Sequence, residues 1–265
     1  MIPKNIHYCW YGNTEKDKKI KRYLSSWTLL TNEGYNIIEW NESNCNLQCN
    51  DYVKMAVKEK NWAFVSDYFR LKALYEFGGI YLDTDVEVYK SFDDLLKLKG
   101  FLGYMYDSLI GTAVLGFEKH NPFISMLLDL YDSAKWVEGT NNKFIIQLSD
   151  GNHICDSNNT LFTLAILDRY KNFKLNGKKQ ELTEFTIFPM KEFEIGTILG
   201  RTHCVHRCEA SWKDQSFKRE LFKTIKNIAK IIPFVHLDAL IRRISYQLHI
   251  RKSPFYQRYK MDKTL

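Results

Sequence analysis

The residues best able to do chemistry in this 265-residue chain lie between positions 67 and 87. Asp83-Thr84-Asp85 is a D-x-D tripeptide that follows the apolar run Ile80-Tyr81-Leu82. Hard divalent cations prefer carboxylate oxygens, and Mg²⁺ or Mn²⁺ is commonly held by one or two carboxylates plus phosphates of a ligand. A cation held there would neutralise a departing diphosphate, which is Lewis-acid catalysis. Taken alone, the tripeptide reads more simply as a solvated turn; its setting after Gly78-Gly79 and a strand shifts the reading toward metal. Asp67 and Arg70, three apart, are either a helix-surface ion pair worth about 0.2–0.5 kcal/mol or groups aimed at sugar hydroxyls. Trp10 is either a core residue or a platform for a nucleobase. His206 and Ser211-Trp212 are candidates to close the same site from the C-terminal side. Two C-x3-C pairs, Cys45/Cys49 and Cys204/Cys208, have zinc-ligand chemistry but lack the usual finger or ribbon context, so six reduced thiols is the simpler reading.

The elements that must position these groups follow from periodicity. Ile6 to Trp10 is a β-type run ended by Tyr11-Gly12, Glu15 to Trp27 leads into a first helix, and Tyr35 to Trp40 is a second strand. Strand, helix, strand at this spacing opens a parallel α/β unit. Residues 51–60 read as helix. Ala63, Phe64, Tyr68, Leu71, Leu74 and Tyr75 recur at helical spacing as one buried stripe, and Gly78-Gly79 supplies the left-handed stop. Ile80 to Val88 reads as one strand, with Tyr81, Asp83, Asp85 and Glu87 on a single face. Residues 101–104 and 113–117 are further strands, Pro122 opens a helix, and residues 139–160 read as loops around Phe144-Ile145-Ile146. A helix over 161–170 and late strands at 187–189 and 202–206 complete the body.

In that order, Ile2-Pro3-Lys4-x-Ile6-His7-Tyr8-x-Trp10-x-Gly12, Ser66-Asp67-Tyr68-x-Arg70, Gly78 to Asp85, and His206-x4-Ser211-Trp212 resemble glycosyltransferase family 32. This D-x-D sugar-transferase family contains bacterial capsule and O-antigen enzymes and is related to fungal mannosyltransferases and the glucosyltransferase domains of large clostridial toxins. The resemblance implies a GT-A fold and metal-dependent, retaining transfer from a nucleotide sugar. It implies that Trp10 stacks on the base and that Ser66 meets the base through its backbone. Asp67 and Arg70 would bind sugar hydroxyls, and Tyr81 and Asp83 the sugar nucleotide. Asp85 would hold Mn²⁺ or Mg²⁺, with His206 on the metal or phosphate side, and Ser211 and Trp212 would lie over the diphosphate. Asp83, Asp85 and Arg70 are thus the expected catalytic group. Arg207 and Cys208 stand where many relatives carry a second His and an aromatic, which leaves Arg207 as a further candidate for the diphosphate. No nucleophile is implied; an Asp or Asn within 150–160 is the nearest candidate.

The net charge of +7 is unevenly placed. From Lys213 onward 13 Lys and Arg face four acids, so residues 1–212 carry −2 and the remainder +9. This divides the chain into a glycosyltransferase body, 1–212, and a basic amphipathic helical extension, 213–265. In the extension Phe217, Leu221, Phe222, Ile225, Ile228, Ile231 and Ile232 keep helical spacing up to Pro233, and Leu237, Leu240, Ile241, Ile244 and Leu248 resume it. Such helices fit an in-plane anchor on an anionic membrane, or else their apolar face packs on the body. An acidic body argues against a nucleic-acid partner. Without a signal-peptide pattern at Met1-Ile2-Pro3-Lys4-Asn5, a cytoplasmic protein on the inner face of the cell membrane is expected. The expected partners are a UDP-linked galactose, glucose or N-acetylhexosamine and a lipid-linked saccharide. GDP-mannose transfer, a toxin-like protein glycosyltransferase and a non-enzymatic basic nucleic-acid-binding protein are the alternatives.

Overall fold

The structure is a computed structural model that describes residues 1–140, 142–197, 202–208 and 237–264. Strand β1 (Asn5–Cys9) leads through helices α1 (Lys18–Ser25) and α2 (Thr28–Asn32) to β2 (Asn36–Trp40). Helices α3 (Asp51–Lys58) and α4 (Trp62–Phe77) precede β3 (Gly79–Leu82) and β4 (Val86–Val88). Then come β5 (Gly100–Tyr106), β6 (Leu109–Phe117), α5 (Pro122–Asp132), β7 (Lys135–Trp136), β8 (Phe144–Leu148), β9 (Gly151–Cys155) and α6 (Asn158–Arg169). The body closes with β10 (Gln180–Glu181), β11 (Thr186–Phe188), α7 (Met190–Phe193) and β12 (Cys204–His206). Two helices of the extension follow, α8 (Leu237–Ile250) and α9 (Tyr256–Lys263).

Seven strands form one mixed sheet in the order β10-β11-β5-β6-β3-β1-β2. β1 pairs in parallel with β2 and β3, while β6 runs antiparallel to both β3 and β5. Both faces are covered: α3 to α6 bury one with Phe69, Leu71, Leu74, Leu127 and Phe162, and α1 and α2 bury the other around Trp27, Leu30, Ile80 and Leu82. Each such side chain contributes roughly 1.5–3 kcal/mol through removal of apolar surface from water. This is the α/β layering expected of the sequence, with β1 running parallel to β2 and β3 so that their carboxyl ends lie along one edge of the sheet.

Two local expectations are corrected. The run Ile80 to Val88 is not one strand. Asp83 leaves β3 with its N–H on Ala113 O at 2.9 Å, and Val86 N–H closes a turn onto Asp83 O at 2.9 Å. β4 then pairs with β12, with Val86 opposite His206, so the two carboxylates ride a turn rather than one strand face. Mutual repulsion of two carboxylates is easier to relieve at a turn than inside a ladder. Second, residues 144–155 form a hairpin, β8 with β9, turning at Ser149-Asp150-Gly151, where Gly151 has φ +128°. Its polar residues Asn152 and His153 interrupt the apolar period of an otherwise regular ladder. The helix stop at Gly78-Gly79 is as the sequence indicates, with φ +63° and +123°. Buried His7 secures it, taking the indole N–H of Trp40 on Nδ1 at 3.1 Å and meeting Gly78 O from Nε2 at 2.9 Å.

The described part of the extension docks on the body. Tyr246 of α8 stands edge-on to Tyr106 at 4.8 Å, Ser253 Oγ donates to Ser108 O, and Asp262 of α9 accepts the Leu175 N–H at 2.8 Å. Residues 213–236, which hold the first amphipathic run, lie outside the described residues. Among the described residues no helix is long and apolar enough to cross a membrane.

Candidate active site

Helix α4 is buried on more than one face, and this carries Asp67 and Arg70 inward instead of leaving them on a surface. Their side chains are 10% and 5% exposed, which rules out the helix-surface ion pair. Arg70 Nη2 lies 2.9 Å from Asp67 Oδ1, 3.4 Å from Asp83 Oδ1 and 3.3 Å from Ser66 Oγ. Nη1 donates to Thr112 O at 2.8 Å, Nε to Ser66 O at 3.3 Å, and the guanidinium lies 4.5 Å over the Tyr81 ring. All three guanidinium nitrogens thus face protein acceptors, and Arg70 acts here as a clamp between α4, β6 and the D-x-D turn. Burial works against its charge, but Asp83, Tyr81 and Asp67 around it keep the guanidinium firmly protonated. Burial pushes the Asp67 carboxyl up to about 6, with Arg70 pulling the other way.

Asp83 is the more open carboxylate. Tyr81 OH donates to its Oδ1 at 2.9 Å, the same oxygen that faces Arg70. Asp85, Asp83 and His206 each offer a ligand atom, all within 4.8 Å of one another. His206 Nε2 stands 3.4 Å from Asp85 Oδ1, and Arg207 N–H donates to Asp85 O at 2.9 Å, which fixes β12 beside the turn. Two carboxylates and an imidazole form an oxygen-rich donor set that fits Mn²⁺ or Mg²⁺. Behind the imidazole, His206 Nδ1 meets buried Glu194 at 3.0 Å. Burial would lower the His206 pKa, yet Cys208, Glu194 and Asp85 raise it well above the ordinary value. Burial likewise would raise Glu194, and His206 and Arg242 bring it below the ordinary carboxylate range.

Other expected site residues fall around this group with different exposure. Ser66 is half-buried, its hydroxyl on Ala63 O at 2.7 Å. Trp10, half-buried after β1, donates its indole N–H to Thr14 O at 2.7 Å and carries Lys16 Nζ 5.2 Å over its ring. Ser211 and Trp212 lie outside the described residues. Arg207 is paired with neighbours of its own, as Glu87 takes its Nε–H at 2.7 Å and Tyr89 OH meets Nη2. The C-x3-C pairs do not assemble: Cys45 Sγ contacts Tyr11 OH at 3.0 Å, whereas buried Cys204 points at Phe193 O. Two site neighbours carry no signal in the sequence pattern, and a third lies in the 150–160 stretch singled out for an Asp or Asn. Glu194 follows α7, Thr112 offers only a backbone carbonyl, and Asn158 at the start of α6 donates to Asp67 Oδ1 at 3.1 Å. The Ser157 cap that aims Asn158 is legible locally; its partner 91 residues away is not.

Residues 17–102 match the family described as "Glycosyltransferase sugar-binding region containing DXD motif", and that span holds the clamp and the D-x-D turn. Over that span the chain is similar to the DXD glycosyltransferases. It is 31% identical over 127 residues to inositol phosphoceramide mannosyltransferase 3 of Schizosaccharomyces pombe, covering 46% of this chain and 35% of that protein. It is 41% identical over 64 residues to lactosylceramide 4-alpha-galactosyltransferase of Mus musculus, covering 24% of this chain and 17% of that protein. The chain thus spans about a third or less of the length of these curated relatives. The solved structure of PaToxG glycosyltransferase is similar with a TM-score of 0.47 at 20% identity, covering 64% of this chain and 70% of that one. The family agrees with the resemblance carried by the sequence motifs.

Proposed function

We propose that this DXD glycosyltransferase moves a hexose from a nucleotide sugar to a saccharide carried on a lipid, with retention and with Mn²⁺ or Mg²⁺ bound. The observation that carries the reading is the convergence of Asp83, Asp85 and His206 ligand atoms within 4.8 Å at the carboxyl end of β3. Asp85 and His206, with Asp83, would hold the cation, which when bound supplies Lewis-acid stabilisation of the diphosphate leaving group. Arg70 and Tyr81 fix one oxygen of Asp83, so its other oxygen keeps a set direction toward ligand. Asp67 is held by Arg70 and Asn158 on one oxygen in the same way, and its other oxygen would meet the sugar. Trp10 would stack the base, and Ser66 would meet it through the backbone.

Relatives named for galactosyl and N-acetylglucosaminyl transfer support UDP-linked galactose, glucose or N-acetylhexosamine as donors. The mannosyltransferase among them supports GDP-mannose as the second reading. Two relatives are named for ceramide-borne acceptors, which favours a lipid-linked saccharide, as in bacterial surface-polysaccharide assembly. α8 leaves Leu240 and Ile244 37% and 55% exposed beside exposed Arg243, a face suited to anionic lipid at the inner surface of the cell membrane. The decisive experiment is a sugar-nucleotide panel with Mn²⁺, scored for donor hydrolysis without acceptor, and NMR of the anomer first released. One donor should turn over with retention, and Asp85→Asn should lose on the order of a hundredfold, the scale of removing one stabiliser of developing charge. Undiminished turnover in that variant sinks the metal assignment, and no turnover of any donor sinks the activity.

A further inference from the structure

The basic extension reaches the back of the site. Glu194 is buried, and a carboxylate there is costly unless donors and a cation meet it. Both come from α8. Tyr246 OH donates to Glu194 Oε1 at 2.7 Å, and Arg242 Nη2 stands 3.6 Å from the same oxygen while donating to Tyr246 OH at 2.8 Å. Arg242 is itself buried, so this cation of the extension is paired with Glu194 and not with solvent or lipid. On its other side Glu194 takes both of its oxygens to His206 Nδ1, at 3.1 and 3.0 Å, and His206 Nε2 faces Asp85.

We propose that Tyr246, Arg242 and Glu194 are positioning residues that hold His206 ready as a metal ligand, which makes α8 an integral part of the site. The inference rests on the metal reading proposed above. A carboxylate behind a ligating imidazole keeps the ring proton on Nδ1, so that Nε2, which faces Asp85, is the nitrogen that would exchange its proton for the cation. Tyr246 and Arg242 both meet Glu194 Oε1 and so hold that carboxylate in place from α8. A separate cation bound by Glu194, His206 and Cys208, which also converge within 4.8 Å, is disfavoured. Arg242 Nη2 lies 3.6 Å from both Glu194 Oε1 and Cys208 Sγ and would repel it. The aromatic packing of Tyr246 on Tyr106 sets the depth at which α8 delivers these groups.

The test is Mn²⁺ alone titrated into the full chain, with free Mn²⁺ read by electron paramagnetic resonance, for wild type, Tyr246→Phe, Glu194→Gln and Asp85→Asn. Tyr246→Phe keeps the ring on Tyr106 and removes a hydroxyl that donates to Glu194 and accepts from Arg242, so it should fold with a melting temperature lowered by a few degrees. The Mn²⁺ dissociation constant should rise about tenfold to a hundredfold in Tyr246→Phe and in Glu194→Gln, the scale for partners that orient a metal ligand. Values within twofold of wild type in both, while Asp85→Asn loses binding, overturn the positioning and leave the metal site standing. Wild-type affinity in Asp85→Asn, or no binding by the wild type, removes the metal site and the positioning with it. If Glu194→Gln fails to fold because Arg242 is left buried and unpaired, Tyr246→Phe decides alone.

Discussion

Replacing Arg70 by Met tests whether the clamp holds the site together. The substitution keeps an unbranched apolar stem but removes a buried cation from between Asp67 and Asp83. Removing one partner of a buried ion pair typically costs 3–5 kcal/mol, because the other charge is left uncompensated, and the Ser66 and Thr112 carbonyls each lose a donor worth about 1 kcal/mol. The pH dependence has a definite sign. The Asp67 pKa is raised from 3.8 to about 6 in the folded chain, so its favourable contribution is full below pH 4 and is lost as pH rises through 6. The loss amounts to roughly 3 kcal/mol, at about 1.4 kcal/mol for each pH unit between the two values. Without Arg70, which pulls that pKa down, the loss continues to higher pH. Urea unfolding followed by tryptophan fluorescence at pH 5 and pH 8 should therefore show Arg70→Met destabilised by about 3–5 kcal/mol at pH 8. The deficit at pH 5 should be smaller by about 1 kcal/mol or more. Adding Asp67→Asn should recover part of the pH 8 deficit. A penalty below about 1 kcal/mol at pH 8, or one equal at both pH values, would refute the clamp and free Arg70 for ligand.

Two further outcomes probe the frame and the surface. Gly79→Ala would place Cβ 2.5 Å from Asn5 O and 3.0 Å from His7 Nε2 at φ +123°, so it should cost roughly 2–5 kcal/mol by thermal or urea unfolding. A cost under about 1 kcal/mol would mean that β1 and β3 can part without loss. The paired change Leu240→Asp and Ile244→Asp should leave Mn²⁺ affinity intact and abolish co-flotation with anionic liposomes; flotation equal to wild type would show that this face does not meet lipid.

How much of the molecule is legible in the order of its residues depends on the range of the interaction. The Gly78-Gly79 stop, the strand before the D-x-D and the caps are local, and their signals lie within a few residues. The turn at Asp83–Asp85 is hidden because alternation continues through it. Only the departure of β4 toward β12 reveals the break. The β8–β9 hairpin reads as loop because polar residues and Gly dominate its second half, although its ladder is regular.

The sequence by itself determined the chemistry on offer: which carboxylates, which imidazole, and the family that their spacing resembles. It also located the excess of positive charge in the last fifth of the chain. Tertiary structure decided what those groups face. It buried Asp67 with Arg70, set His206 against Asp85, and turned Arg207 to Glu87. It set Arg242, by composition one cation among many, against Glu194. Charges separated by scores of residues have no common pattern along the chain, and only the energetic need to pair them once buried brings them together.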